Sequence, residues 1–536
     1  MIPPSSSSSS AADVPVQWWD RRWLLVALVL ASAVPLLWPQ VPPLVDLPSH
    51  IGRYRVQIGL DSSEHLRRFF DFEWHLIANL GVDLLVVPLA PLIGLEPAVK
   101  LIVTSIPVLT VAGFLLVARE VHGRVPPTAF FALPLAYGYP FQFGFVNFAL
   151  SMALGLLAFA LWLRLARKGR LRLRAALFVP LACLIWICHI FGWALLGLLA
   201  FAAELAWARE RDRASWIKTP FLAGLHCLPL ALPFGLMLLW RSGEVAGITA
   251  DWFNWGAKLF WLAAVLKERW VWWDKGSAVL LFALLVLVRS LRLRFRARLT
   301  LAAVLLALAF IGLPRILLGS AYADMRLAPY ALGIALLALG PKPEASPQLL
   351  NRLAAAGLVF FAARLLVTTW TFADIDRAWR GQLEALDRVP AGSRVLVGVN
   401  ATCSRDWWSN RMDHLGSLAI ARRDAFTNDQ WAMPGAQLLT VKYRDGAPFV
   451  TDPSQMIRRA ECRAYREHLW PDFMRKLPRG AFDYLWLIDL PRANWPREPG
   501  LIPVWTGPRR GILYRFAGSA TSASETPNGS AARPTR

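Results

Sequence analysis

The chain has 536 residues, 56% of them hydrophobic, with a mean hydropathy of +0.41 and a formal net charge of +22. Its apolar residues gather in long runs separated by basic clusters, which excludes an ordinary soluble domain and indicates a polytopic α-helical membrane protein. Much of the positive charge lies in short loops between those runs, at 164–174, 209–218 and 289–298, so it reads as an orientation signal and argues against a nucleic-acid partner.

Residues 1–16 carry the serine run Ser5–Ser10 and no hydrophobic periodicity, and they read as a disordered N-terminus. Arg21-Arg22 then precede the apolar run Trp23–Trp38. Ala31-Ser32-Ala33 resembles a signal-peptidase site, but the run continues to Trp38, which favours an uncleaved first span with a cytoplasmic N-terminus. A long first external loop, 39–98, follows.

That loop opens with Val45-Asp46-Leu47-Pro48-Ser49-His50-Ile51-Gly52-Arg53-Tyr54. On a helix Asp46, His50 and Arg53 fall at i, i+4 and i+7, an acid, an imidazole and a guanidinium on one stripe. Such a set can take a proton and hold a phosphate. The plainer alternative makes Asp46 an N-cap with Pro48 in the first helical turn.

Further apolar runs lie near 75–93, 99–118, 126–141, 144–163, 175–188, 191–207, 220–240, 277–289, 299–313, 327–340 and 349–369. Counting every run as a span places the basic loop 164–174 outside, against the positive-inside rule. Demoting one segment repairs this. The first choice is 75–93, with Asn79, Asp83, Pro88 and Pro91, and the alternative is 126–141. About eleven spans and one re-entrant or interfacial segment result, within a membrane domain of residues 17–370.

This topology gathers Gln142, Asn147, His189, Arg315, Asp324 and Arg326 on the external side with the Asp46 loop. Each has a structural alternative. His189 fits an interface histidine, and Arg315 and Arg326 fit headgroup contacts or a pair with Asp324 as well as phosphate binding. The tryptophans at 252, 255, 270, 272 and 273 fit an interfacial aromatic belt.

From 371 the composition becomes that of a soluble α/β domain, external and ending near 516, with a disordered tail at 517–536. Strands are expected at 393–399 and 482–488, a terminal hairpin at 502–505 and 511–516, and helices near 409–422 and 454–469. No residue in this domain declares chemistry. Cys403 and Cys462 lie in it and would pair in an oxidising compartment, whereas Cys183, Cys188 and Cys227 lie in apolar runs. Walker-type GxxxxGK[ST] and HExxH motifs are absent.

Over residues 20–340 the arrangement resembles the GT-C superfamily of polytopic glycosyltransferases, in particular bacterial chains with a PMT- or ArnT-like N-terminal module. Asp46-Leu47-Pro48-Ser49-His50 takes the place of that family's acidic loop, and Phe143–Phe148 lies where a second acid often occurs. Tyr322–Pro329 resembles its Arg-then-Pro opening of a late span. Two positions depart from the pattern. Leu47 replaces the paired acid and Asn147 replaces the second carboxylate, so a divalent cation would depend on Asp83 or Glu73.

The resemblance implies transfer of a sugar from a polyprenyl-phosphate carrier to an acceptor at the outer face of a bacterial inner membrane. Asp46 or His50 would act as base, and Arg53, Arg315 or Arg326 would hold the phosphate, with Asp83, Asn147 and His189 as supporting polar groups. The competing readings are a transporter of lipid-linked saccharides and a non-catalytic assembly protein.

Overall fold

The structure is a computed structural model that describes residues 17–212, 218–239, 248–402, 407–430, 437–450, 456–459, 462, 469–508 and 510–518. Five of its helices are long and apolar enough to cross a membrane: Leu95–His122, Val146–Arg167, Leu171–Cys188, Ile190–Glu210 and the one beginning at Pro347. The bent pair Lys218–Leu230 and Leu232–Leu238 makes a sixth if it is one span. The protein is therefore integral to the membrane. Shorter apolar helices at Arg22–Leu37, Gly81–Ile93, Ala297–Gly312 and Met325–Leu337 complete the helical layer.

Both segments considered for demotion depart from a long α-helix. Residues 81–93 form only a short one, Gly81–Ile93, interrupted by Pro88 and Pro91. Within 126–141, Pro127–Tyr137 winds as a 3-10 helix, all of it buried, followed by the short helix Tyr139–Phe143. Proline at 127 and 134 and the glycine at 138 break the α-helical hydrogen bonding there. The remaining core comes from the long helices, with Leu95–His122 packed on Val146–Arg167 and the latter on Ile190–Asp212.

A six-stranded sheet forms the C-terminal part. Arg394–Asn400 lies at its centre, parallel to Tyr484–Pro491 on one side and to Phe426–Thr427 and Met456–Ile457 on the other. The hairpin Leu501–Thr506 and Arg510–Phe516 adds two antiparallel strands beyond Tyr484–Pro491. The near-continuous apolar runs Val395–Val399 and Leu485–Ile488 are buried on both faces, as parallel strands require. The expected helix at 409–422 shrinks to Leu418–Arg423, preceded by the 3-10 turn Leu415–Ser417. At 454–469, Met456–Ile457 is a strand and much of the stretch lies outside the described residues; a helix follows at Trp470–Arg475.

The two parts are joined firmly. Helix Pro347–Leu383 continues from the membrane layer past residue 371 to within a short 3-10 turn of the sheet. The first-loop strand Phe70–Phe72 pairs antiparallel with Leu439–Val441. Helix Leu47–Gly59 is held by a bidentate Arg55–Asp424 pair at 2.7 and 2.9 Å and by Gln430 donating to the Ser49 carbonyl at 3.1 Å. Cys462 is disulfide-bonded, Cys403 lies outside the described residues, and Cys183, Cys188 and Cys227 are free thiols.

Candidate active site

Asp46 is placed by its backbone. Its N–H donates to the Phe143 carbonyl at 2.9 Å, and the next turn closes through His50 N–H donating to the Asp46 carbonyl at 3.1 Å. Gly144 permits the first of these contacts. It sits at φ 106°, and a β-carbon there would come within 2.8 Å of the Asp46 nitrogen. Arg411 of the sheet domain then ties the two loops together, donating to the carbonyls of Pro43 at 2.9 Å and Gln142 at 2.7 Å and to the Gln142 side chain at 2.7 Å.

Asp46 occupies the N-cap position of helix Leu47–Gly59, with Pro48 in the first turn, yet its carboxylate makes no capping hydrogen bond. The side chain instead faces a cavity of about 600 Å³. Asp46, His50, Asn147, His189 and Arg326 all line it, with Phe143, Phe145, Phe148 and Tyr322 as apolar wall. Asp46 is only 7% exposed, and among the described residues no hydrogen bond or ion pair reaches its carboxylate. Burial is the main cause holding its carboxyl well above the usual range; the charge of Asp413 adds to this and Arg326 opposes it. Desolvation is the main cause holding the half-buried His50 well below the usual imidazole range, with the charges of Arg53 and His414 adding to it, so it is neutral at pH 7.

Arg326 is built as an open cation. Its guanidinium lies 4.2 Å from the centre of the Phe145 ring, and one nitrogen donates to Ser320 Oγ at 3.1 Å. It has no carboxylate partner among the described residues, and its Nε is buried without an acceptor.

Two of the other arginines are placed elsewhere. Arg53 does not line the cavity: one residue triplet beyond His50 rotates it off that face, and the fully buried Asp83 captures it at 2.9 Å. Asn147 completes this nest, donating to Asp83 at 2.9 Å and to the Asn79 carbonyl at 2.7 Å while accepting from Val82 N–H at 2.6 Å. Asp83 is thereby the counter-ion of Arg53 and unavailable as a cavity ligand. Arg315 pairs with Asp251 at 2.7 Å outside the cavity lining, and Asp324 pairs with Lys258 at 3.2 Å. Glu73 lies at the surface beside His75. His189 Nδ1 accepts the Phe191 N–H at 3.2 Å, with its ring edge-on to Phe148. Among the described residues no group of three or more His, Cys, Asp or Glu side chains is arranged to hold a metal ion.

The cavity also contains residues that sequence reasoning missed. Asp413, His414, Ser409 and Asn410 come from the sheet domain, which therefore supplies polar side chains to the cavity wall. Lys267 comes from the loop between helices Trp255–Ala263 and Val271–Val286. Its ammonium donates to Tyr139 Oη at 2.9 Å and sits 4.4 Å from that ring's centre, without an acidic partner among the described residues. Burial is the chief cause lowering its pKa to about 8, with Arg411 adding and Asp274 opposing. The loop is fixed by Asp274, which accepts from the backbone N–H groups of Glu268 and Arg269, from Trp407 and from Arg364. A lone lysine in a tryptophan-rich loop carries no motif. Only the saturated Asp274 explains why it is held at the cavity.

No protein-family model matches the chain, and no curated protein does. Among solved structures it is similar to ArnT from Cupriavidus metallidurans in the apo state, at 12% identity and a TM-score of 0.46, covering 92% of this chain and 97% of that one. It is also similar to the same protein bound to undecaprenyl phosphate, at 13% identity and a TM-score of 0.45, covering 93% and 98%.

Proposed function

We propose that the protein is a membrane glycosyltransferase that moves a sugar from a polyprenyl-phosphate carrier to an acceptor hydroxyl at the outer face of a bacterial inner membrane. The observation that carries this reading is the shared cavity, in which a buried, unpartnered carboxylate, Asp46, meets two cations without acidic partners, Arg326 and Lys267. Burying such groups unpaired costs folding free energy, and the cost is met where a ligand completes them.

In this mechanism Asp46 takes the proton of the acceptor hydroxyl as the acceptor oxygen bonds to the anomeric carbon. The bond from that carbon to the phosphate oxygen breaks, and its electron pair stays on the carrier phosphate. Attack opposite the leaving group inverts the anomeric carbon. A raised carboxyl pKa makes Asp46 a stronger base than a solvated aspartate. Arg326 and Lys267 stabilise the charge growing on the phosphate, the arginine through its fork and the lysine as a point charge. Neutral His50, stacked on Tyr54, orients the acceptor by hydrogen bonding.

The test is mass spectrometry of lipids extracted from the purified protein, wild type against Asp46→Asn. A sugar-bearing polyprenyl phosphate that accumulates on the folded variant supports a trapped donor. If neither form carries such a lipid and the variant complements a deletion strain, the transferase reading fails and an assembly role takes its place. Vectorial movement of the lipid without a new glycosidic bond would mark a transporter.

A further inference from the structure

A second cavity, of about 310 Å³, lies at the other end of the helix that carries Arg326. Arg326 stands at the start of Met325–Leu337, and the Leu337 carbonyl at its end accepts a 2.8 Å hydrogen bond from His122 Nε2. Thirteen helical residues span roughly 20 Å, so the two cavities face opposite sides of the apolar layer.

The floor is a two-stranded ribbon, Leu293–Phe295 paired with Leu339–Pro341 and extended by Arg296 N–H donating to Ala338 and Lys342 N–H donating to Arg292, both at 2.9 Å. Gly340 lets the His122 ring lie against this ribbon, since a β-carbon there would come within 2.8 Å of it. Arg124, Arg294, Arg296 and Lys342 converge on the opening, and no acidic residue lines it. Among the described residues none of these four cations has a carboxylate partner, and Arg296 Nε is buried without an acceptor. Orientation signals need only positive charge near the membrane surface. They do not need four cations from three separate loops turned onto one concavity.

We propose that this cavity binds a phosphate-bearing anion, with an anionic phospholipid headgroup as the source that its position at the helix ends favours. Trp19, in the cavity wall, and the apolar Leu350 give such a lipid a surface for its glycerol and upper chain. Guanidinium forks from two directions suit phosphate oxygens.

The test uses the full chain, delipidated in detergent, with phosphatidylglycerol, phosphatidylcholine and inorganic phosphate as probes in native mass spectrometry. Wild type is expected to retain phosphatidylglycerol over phosphatidylcholine. Arg296→Gln with Lys342→Gln should weaken that retention at least tenfold, whereas Arg170→Gln with Arg172→Gln, which removes two exposed charges at the start of helix Leu171–Cys188, should leave it unchanged. Ala345→Trp fills the cavity with every charge kept and should also lose the lipid. Competition by inorganic phosphate with no preference among lipids would support the anion site and assign it a soluble ligand. Equal losses in the two charge pairs, or full retention in Ala345→Trp with an unchanged unfolding temperature, would overturn the proposal.

Discussion

Two neighbouring sets of buried charges are treated in opposite ways. Around the large cavity the charges that support the walls are ion-paired. Arg53 and Asn147 bond Asp83, and Arg364 bonds both Asp274 and Glu268. Inside the cavity Asp46, Arg326 and Lys267 are left open. Burial is similar in both sets, so burial alone does not mark a functional residue. Under the proposed function, what marks it is the missing partner.

The sharpest way to break this contrast is to compare stability. Asp83→Asn leaves the Arg53 guanidinium buried without its counter-ion and is expected to cost about 3–5 kcal/mol, with loss of folded protein in detergent thermal unfolding. Asp46→Asn removes an uncompensated buried charge and should unfold at the same temperature or higher while losing about 10²–10⁴-fold in transfer rate. If Asp46→Asn destabilises as much as Asp83→Asn, Asp46 belongs with the supporting charges.

A second comparison concerns donor binding. Lys267→Met removes one charge-assisted contact to phosphate, about 1.5–3 kcal/mol, and is expected to raise the donor KM roughly ten- to a hundredfold. The pH dependence has a definite sign. Lys267 loses its proton as pH rises through about 8, so the wild-type donor KM should climb on the alkaline side, and the Lys267→Met profile should be flat there. An unchanged KM in the variant would return Lys267 to a packing role on the Tyr139 ring.

Legibility in the sequence followed chain distance. Asp46 and His50 were legible as cavity-facing because their stretch is short, polar and set between apolar runs, Asn147 as a polar residue opening an apolar run, and Arg326 because a proline follows it at the opening of a helix. The central strands at 394–400 and 484–491 were legible as uninterrupted β-branched and apolar runs. Arg53 was misplaced because periodicity gives a face but no partner: a buried carboxylate thirty positions further on decides where a guanidinium goes. Asp413, Lys267 and Arg411 were invisible for the same reason. Each acts across more than a hundred residues of chain, on Asp46, Tyr139 and Gln142 respectively, and none stands in a motif.

Asp413 offers a finer test of which domain tunes the base. Asp46 must be deprotonated to accept the acceptor's proton, so activity rises with pH through its pKa, and that acid limb should lie above the ordinary carboxylate range. Burial is the larger cause and persists in Asp413→Asn; the repulsion of the second carboxylate is removed. The limb is therefore expected to move to lower pH in the variant, with kcat at neutral pH changed little. A limb that stays in place would show that the sheet domain supplies shape and no charge to Asp46. Arg315→Ala serves as the baseline for all of these measurements. Its pair with Asp251 is partly solvent-exposed and worth at most about 1 kcal/mol, and neither stability nor donor KM should shift beyond that. A tenfold rise in donor KM for Arg315→Ala would move the phosphate site outward from Arg326, and the open-shell criterion would then have selected the wrong arginine.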